Sequence, residues 1–370
     1  MVERRGAMET LVTPFDFWRG KRVFITGHTG FKGTWLTILL HRLGAKIAGY
    51  SDGVPTRPSH FELAGVGELL SADYRHDIRD LDALTAACSD FAPSILFHLA
   101  AQPLVRASIA RPVETFAVNV MGTVNCLEAV RAQTSLRAAV IVTSDKVYKD
   151  RNWEFGYRET DTLGGNDPYS GSKACTELVV SSYRESFGLG GSAGGAVIAS
   201  ARAGNVVGGG DFSPDRLVPD LVRAVEAGGA LELRYPGATR PWQHVADPLL
   251  GYLRLAQAMF LGETHDSGWN FGPPPSQPVS VEQFIRRLTE AWGISLPVTV
   301  TNAQKPRETL ALQVDSTKAA IRLGWHPSLS FDLTLDLTAQ WYRAYCRRED
   351  MRTLSRRQAD DILRFLEPGG

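Results

Sequence analysis

Apolar residues fall along the chain in runs of strand length, separated by stretches with helical periodicity. The runs are Arg22 to Thr26, Lys46 to Tyr50, Ser71 to Ile78, Ile95 to Leu99, Ala138 to Thr143 and Val197 to Ala201. Strands alternating with amphipathic helices predict an α/β fold built on a doubly wound parallel sheet. Punctuation agrees, because Gly44 follows a first helix ending at Leu43 and Pro112 opens a helix running to about Gln133. Glycine closes a helix and proline starts one without losing a backbone hydrogen bond. Another long helix starts at Tyr169, and the small-residue segment Gly188 to Gly195 after it reads as a surface loop.

Beyond residue 205 the pattern loosens into shorter elements rich in Pro, Trp and Arg, including Arg240-Pro241-Trp242-Gln243-His244 and Trp269-Asn270-Phe271-Gly272-Pro273. With 370 residues the chain is long enough for two closely packed domains. We expect a sheet domain over residues 18–205, a smaller C-terminal α/β substrate-binding domain over 206–370, and a disordered lead-in over 1–17. Ligands of open α/β sheets bind outside the carboxyl ends of the strands, so the smaller domain would close a cleft there. Phe331 to Leu366 is helical in pattern, and its charge-rich part, Arg347 to Arg357, reads as a solvated helix face.

Between the first strand and the first helix stands Thr26-Gly27-His28-Thr29-Gly30-Phe31-Lys32-Gly33. Glycines at such a junction make a tight turn, admit a pyrophosphate to the backbone and let the helix pack close on the strand. The fold is therefore expected to be of Rossmann type, with Gly27, Thr29, Gly30, Phe31, Lys32 and Gly33 cradling a dinucleotide. Asp52 follows by the ~20 residues expected of a carboxylate that takes a ribose 2′-hydroxyl. It would repel a 2′-phosphate, which favours NAD over NADP. Asp77 and Ile78 could meet the adenine, and Asn119 could line the site.

Composition removes other classes. Lys plus Arg and Asp plus Glu are balanced at 40 each with no basic block, so no nucleic-acid partner is expected. No apolar run approaches the ~20 residues of a membrane helix, and no signal-peptide region stands at the N-terminus, so no membrane partner is expected either. Cys88, Cys126, Cys175 and Cys346 have no metal-ligand spacing and lie in apolar segments, which suits reduced thiols and a cytoplasmic location.

Two motifs carry candidate chemistry. The strand from Ala138 ends in Thr143-Ser144-Asp145-Lys146, and the helix from Tyr169 opens with Tyr169-Ser170-Gly171-Ser172-Lys173. Tyrosine and lysine four apart share a helix face, so the ammonium can stabilise a tyrosinate and reach a nicotinamide ribose. Phenol titrates near ~10, so use as a base at neutral pH needs about 4 kcal/mol of preferential phenolate stabilisation. Lys173 and a cationic nicotinamide could provide it. Arg216 and Arg240 are candidates for a substrate diphosphate, since a planar guanidinium binds phosphate oxygens in pairs. His98 and His244 read as structural or hydrogen-bonding groups, because no second ligand stands at metal-binding spacing.

The glycine turn and the Tyr169/Lys173 pair are similar to the fingerprints of the extended short-chain dehydrogenase/reductase superfamily. Within it the chain resembles the NAD-dependent sugar-nucleotide 4,6-dehydratases that act on CDP-glucose. The resemblance runs through His98-Leu99-Ala100-Ala101-Gln102-Pro103, Thr143-Ser144-Asp145-Lys146, Asp167-Pro168-Tyr169-Ser170, Ala201-Arg202-Ala203-Gly204-Asn205-Val206 and Thr239-Arg240-Pro241-Trp242-Gln243-His244-Val245, and covers about residues 20–345. Asp145-Lys146 discriminates most, because dTDP-glucose dehydratases carry Asp-Glu there and 4-epimerases lack the pair. Val245-Ala246-Asp247-Pro248 departs from the Leu-Glu-Pro that more usually follows the valine.

The resemblance implies a lyase that oxidises C4, eliminates across C5 and C6, and returns the hydride to C6, for surface-polysaccharide (O-antigen) deoxysugar synthesis. It implies catalytic roles for Thr143, Asp145, Lys146, Tyr169 and Lys173. Leu99, Ala100 and Ala101 would join the cofactor site, and Gln102, Asn205 and His244 the substrate site. Tyr169 would take the 4-hydroxyl proton, neutral Lys146 the C5 proton, and neutral Asp145 would protonate the leaving 6-hydroxyl. Nearby Lys173 and the nicotinamide charge would push Lys146 down, and burial would push Asp145 up. A homodimer or dimer of dimers is implied, formed through the helices near Pro112 and Tyr169, with Val120, Val124, Leu127, Leu178 and Val179 spaced to supply the contact. A 4-epimerase, a dehydratase of another nucleotide sugar and a non-catalytic NAD sensor are the rival readings. Asp145-Lys146 counts against the epimerase and Tyr169-Lys173 against the sensor, while the nucleobase cannot be read from the residues.

Overall fold

The apolar runs become parallel strands buried on both faces, in a computed structural model that describes residues 16–189, 195–263, 267–273, 279–301 and 312–364. The strands β1 (Arg22–Thr26), β2 (Lys46–Tyr50), β3 (Ala72–Tyr74), β4 (Ile95–His98), β5 (Ala138–Val142) and β6 (Val197–Ala203) all pair in parallel. Strands covered on both sides read as continuous apolar runs rather than alternations, and every residue of β4, β5 and β6 is buried. Successive side chains still go to opposite faces. Val23, Phe97 and Val140 enter one core, and Phe24, Leu96 and Ile141 the other.

Between these strands lie α1 (Phe31–Arg42), α2 (His60–Leu63), α3 (Leu81–Phe91), α4 (Val105–Ala110), α5 (Pro112–Phe116), α6 (Gly122–Ala132) and α7 (Pro168–Phe187). Gly44, at φ +80°, follows α1, and Pro112 opens α5, both as expected. The helix expected from Pro112 to Gln133 is α5 and α6 joined by a π turn over Ala117–Met121. α7 begins one residue before Tyr169, where Asp167 accepts a hydrogen bond from the Ser170 amide. The strand expected over Ser71 to Ile78 is shorter, because Asp77 bends the chain into a turn. Its carboxylate accepts from the Arg79 amide and its carbonyl from the Tyr50 hydroxyl.

The second half contributes β7 (Val206–Val207), α8 (Leu217–Ala227), β8 (Leu231–Leu233), β9 (Thr239–Arg240), β10 (Gln243–His244), α9 (Ala246–Leu261), β11 (Gly268–Phe271), β12 (Val279–Ser280), α10 (Val281–Trp292), β13 (Val298–Val300), α11 (Thr317–Leu323), α12 (Phe331–Cys346) and α13 (Met351–Arg364). Small two-stranded sheets pair β10 with β7, β12 with β9 and β13 with β8. The large sheet has seven strands in the order β11-β6-β5-β4-β1-β2-β3. Its edge strand β11 thus comes from beyond residue 205, where a separate unit was expected. Trp269 and Phe271 are fully buried on one face of the sheet, Trp269 beneath Lys318 and Phe271 against Tyr252 and Trp325. The apolar core is continuous across that position, holding Val23 and Phe284 in one cluster.

The helix expected from Phe331 onward is interrupted. Arg348 takes φ +59°, Asp350 accepts from the Arg352 amide, and α13 starts a new direction. α13 buries Met351, Leu354, Ala359 and Ile362 while Arg352 forks onto Glu68, so Arg347 to Arg357 is a solvated face only in part. Residues 365 and 366 of the expected helix lie outside the described residues, as do 190–194 of the Gly188 to Gly195 segment and 1–15 of the lead-in. Residues 16 and 17, assigned to that lead-in, belong to an ordered turn that seats Trp18 against Phe97.

Asp247 near the start of α9 is buried, with Oδ1 accepting from the Ser328 and Leu329 amides at 2.8 and 3.3 Å. Burial pushes its carboxyl up to about 7 against those two bonds. An unfolded-chain aspartate titrates near ~3.9, so between about pH 4 and 7 the native state holds the extra proton and stability falls as pH rises. Asp247→Asn should flatten that decline, by at most about 4 kcal/mol at pH 8. Urea unfolding of both proteins across pH 4 to 8 checks this, and parallel curves would refute it.

Candidate active site

The β1–α1 turn is shaped by backbone crowding. A Cβ on Gly27, which sits at φ +74°, would fall 2.6 Å from the Ala100 nitrogen, and one on Gly33 would fall 2.1 Å from the Gly27 carbonyl oxygen. No side chain caps α1 at Gly30, which leaves the first-turn amides of Phe31 and Lys32 to face an anion. Thr29 Oγ1 donates to the Gly53 carbonyl at 2.6 Å. Leu99 and Ala100 donate through their amides to Thr26, bringing Leu99 to Ala101 against the turn. Asp52 is exposed just past β2, Asp77 pairs with Arg79, and Ile78 packs on Gly122.

The end of β5 passes into a 3₁₀ turn over Asp145–Val147. Ser144 Oγ accepts from the Lys146 amide at 3.2 Å and donates to Asp145 Oδ1 at 3.0 Å. Asp145 Oδ2 has no partner among the described residues and faces Gly204, where a Cβ would lie 2.9 Å away. Burial raises the Asp145 carboxyl, against the pull of Lys146, Ser144, Lys32 and Arg240, which matches the expectation for an acid. Tyr169 and Lys173 share the buried face of α7. Lys173 Nζ donates to the Val142 carbonyl at 3.1 Å, and burial lowers it to about 8. Burial raises the Tyr169 phenol, with the Ser144 hydroxyl pulling the other way. Lys173 was expected to help lower that phenol; its ammonium is instead engaged by the strand.

A third residue of that face, Glu177, went unnoticed in the sequence. Its Oε1 accepts from Thr143 Oγ1 at 2.5 Å and Arg202 Nε at 2.9 Å, and its Oε2 from Ser200 Oγ at 2.6 Å and the Arg202 guanidinium at 2.7 Å. Burial alone would raise Glu177; Arg202 and the hydroxyls hold it below the usual range. Arg202 also donates to the Tyr148 hydroxyl, which donates to Asn270 of β11. The hydroxyl of Thr143 is therefore committed to Glu177, and that of its neighbour Ser144 faces the acid. The available signals were the spacing of Glu177 four residues after Lys173 and the arginine within Ala201-Arg202.

These elements enclose a cavity of about 560 Å³ whose wall includes Lys32, Thr143, Ser144, Asp145, Lys146, Tyr169, Asn205, Arg216 and Arg240. Lys32 is the glycine-turn residue that reaches this wall, its Nζ 3.4 Å from the Tyr252 hydroxyl, and burial lowers it to about 8. Asp211 holds Arg216 at 3.1 Å. Arg106, Arg234, Tyr235 and Trp242 also line the cavity and were not anticipated; Trp242 stacks on Phe284 with centroids 4.1 Å apart. Lys173 stands off this wall, bonded to the Val142 carbonyl, and so do Gln102, Asn119 and His244. The Gln102 amide group is consumed by Leu104 and Thr115. Asn119, in the π turn, clamps the Gln102 backbone and donates to Ser172. His244 is fully buried beneath the Ala246 amide, and burial lowers it to about 3, so it is neutral. His98 bridges Thr26 and Thr123. No cluster of metal-ligating residues occurs among the described residues, and no described helix is long and apolar enough to cross a membrane.

Comparison with known proteins gives concordant matches. Residues 24–338 match the family model described as GDP-mannose 4,6 dehydratase. The chain is 44% identical to the CDP-glucose 4,6-dehydratase of Salmonella typhimurium, over 94% of this chain and 98% of the relative. It is 27% identical to the dTDP-glucose 4,6-dehydratase of Xanthomonas campestris pv. campestris, over 72% of this chain and 77% of the relative. Among solved structures, the UDP-glucose 4-epimerase of Thermus thermophilus in complex with NAD superposes with a TM-score of 0.73 at 25% identity, covering 87% of this chain and 99% of that one.

A methyl group at Gly33 must displace the Gly27 carbonyl and so distort the anion-facing turn. Gly33→Ala should weaken binding of NAD, used as the probe in calorimetric titration, by about tenfold or more. An unchanged isotherm would mean that the turn is not the phosphate cradle.

Proposed function

The chain belongs to the GDP-mannose 4,6 dehydratase family, and from that premise we propose that it is a hydro-lyase that converts CDP-glucose to CDP-4-dehydro-6-deoxyglucose with NAD as a recycled cofactor. The observation that carries this reading is the presence on one cavity wall of Tyr169 with both Asp145 and Lys146. An oxidation needs one base; an elimination needs a second base and an acid. Cytosine as the base rests on the relative at 44% identity.

The residues fit the cofactor, since the side-chain-free cradle of Gly27 and Gly33 and the uncapped start of α1 suit a dinucleotide phosphate. NAD when bound supplies the acceptor for the C4 hydride, its return to C6, and a positive charge near Tyr169. Tyr169 takes the 4-hydroxyl proton as C4 becomes a ketone. The ketone acidifies the C5 proton, which Lys146 removes as a neutral amine. Asp145, whose carboxyl burial raises, gives a proton to the 6-hydroxyl, which leaves as water. Lys146 then returns its proton to C5, and no net redox change results. Arg216, presented by Asp211, and Arg240 hold the diphosphate. The product would feed surface-polysaccharide synthesis from the cytoplasm.

A homodimer accompanies this reading. Ile109, Val113, Phe116, Met121 and Leu178 are exposed on α4, α5, the π turn and α7, with Val113 at 82% and Leu178 at 60%, and a second copy would cover them. Leu127, expected on that face, is buried in the chain's own core. Light scattering at micromolar concentration should give twice the chain mass, and Val113→Asp with Leu178→Asp should halve it; a monomeric wild type would refute the dimer.

Offered CDP-, dTDP-, UDP- and GDP-glucose, the protein should make a 4-keto-6-deoxy sugar fastest from the first. Tyr169→Phe should yield neither ketone nor product, with a loss on the order of 10² to 10⁴. Lys146→Met should still oxidise C4, so a 4-keto hexose becomes trappable, but should not exchange the C5 proton with deuterated solvent. If Lys146→Met turns over normally, or fails at the same step as Tyr169→Phe, the lysine is not the C5 base and an epimerase or plain dehydrogenase becomes the better reading.

A further inference from the structure

Two ion pairs hold the short segment that carries Arg216. Asp211 Oδ2 accepts from Arg216 itself at 3.1 Å. Asp215, the residue before Arg216, accepts through Oδ1 from Arg106 Nη1 at 2.8 Å. Arg106 lies on α4, among the elements that build the large sheet, whereas Asp215 stands 109 residues further on, just ahead of α8. All four side chains belong to residues that line the cavity, so the Arg106–Asp215 pair ties two stretches of one wall together.

The segment is fixed at both ends and strained between them. At its start Asp211 is buried, its carboxylate accepting from the Ser213 amide at 3.0 Å and its carbonyl from the Tyr342 hydroxyl at 2.6 Å. At its end Arg216 is the extended residue from which α8 departs. Asp215 takes φ +59°, a left-handed conformation that a residue with a Cβ adopts only when its surroundings hold it there. Arg106 supplies such a hold. The two side chains are 56% and 37% exposed, so the pair adds little to the stability of the fold. Its effect is local, on where the turn places the next side chain.

We infer that Arg106 is a positioning residue for the substrate: through Asp215 it holds the turn that presents Arg216 to the diphosphate of the sugar nucleotide. The role deepens the dehydratase reading above and rests on the place of Arg216 in it. Arg106 acts through Arg216 and needs no contact of its own with the ligand, which separates it from an arginine that binds phosphate directly.

That difference is measurable, because residues acting through one another give effects that do not add. Asparagine tolerates the left-handed conformation, so Asp215→Asn removes the charge and leaves the turn its backbone. Arg106→Met, Asp215→Asn and the double variant should each raise the KM for CDP-glucose by the same factor, about fivefold, which is what one exposed ion pair can supply. The kcat should stay within about twofold, and neither the thermal midpoint nor the affinity for NAD in calorimetric titration should change. Arg106→Lys, which keeps a cation, should restore the wild-type KM. Arg216→Met should raise KM further, and adding Arg106→Met to it should change nothing. A wild-type KM in Asp215→Asn beside a raised one in Arg106→Met would make Arg106 a direct ligand and overturn the role, as would single effects that multiply. Loss of NAD affinity or thermal stability in parallel with KM would also overturn it and leave the pair a structural tie. A wild type that turns over no sugar nucleotide refutes the reaction, whereas an active wild type whose variants keep its KM refutes the role of Arg106 alone.

Discussion

The buried carboxylate of Glu177 ties the catalytic wall together. Four hydrogen bonds from β6 and from Thr143, just past the end of β5, converge on it, and through Arg202 and Tyr148 it reaches Asn270 on β11. A buried ion pair is not stabilising merely by being an ion pair, because desolvating both charges offsets their attraction. Removing one partner, though, typically costs about 3–5 kcal/mol because it leaves the other charge unpaired. Here both carboxylate oxygens are satisfied, and the strands concerned cannot shift relative to α7 without exposing Arg202. Since β11 comes from the second half of the chain, one polar network and one continuous apolar core span the position where a domain boundary was expected.

The same burial that holds this wall rigid sets its proton chemistry. Low dielectric favours neutral forms, so it raises the Asp145 carboxyl and lowers Lys32 and Lys173 to about 8. It also raises the Tyr169 phenol. Burial thus works in the same direction on Asp145 and Tyr169, favouring the neutral carboxyl and the neutral phenol.

Much of this was legible in the chain. Strands covered on both faces must be apolar throughout, so β1, β4, β5 and β6 announce themselves, and the glycines of the β1–α1 turn are dictated by contacts a Cβ would violate. What could not be read depends on partners distant in sequence. β3 ends early because Asp77 turns onto Arg79 and Tyr50; Asn119 and Gln102 look like site residues but bind each other. The choice between the hydroxyls of Thr143 and Ser144 is of this kind too. Neighbours in extended backbone point to opposite sides, and only the location of Glu177 determines which hydroxyl is left for the cavity.

Asp145 and Lys146, the proposed acid and second base, are adjacent in sequence, and a salt bridge between them would disable both. A 3₁₀ turn has about three residues per turn, so consecutive side chains diverge by roughly 120°. Asp145 is directed toward Ser144 and Gly204, and no ion pair between Asp145 and Lys146 occurs among the described residues although both line the cavity. The turn depends on Ser144, whose Oγ accepts from the Lys146 amide while it donates to Asp145. One serine thus keeps the two groups apart and remains in touch with the more buried of them.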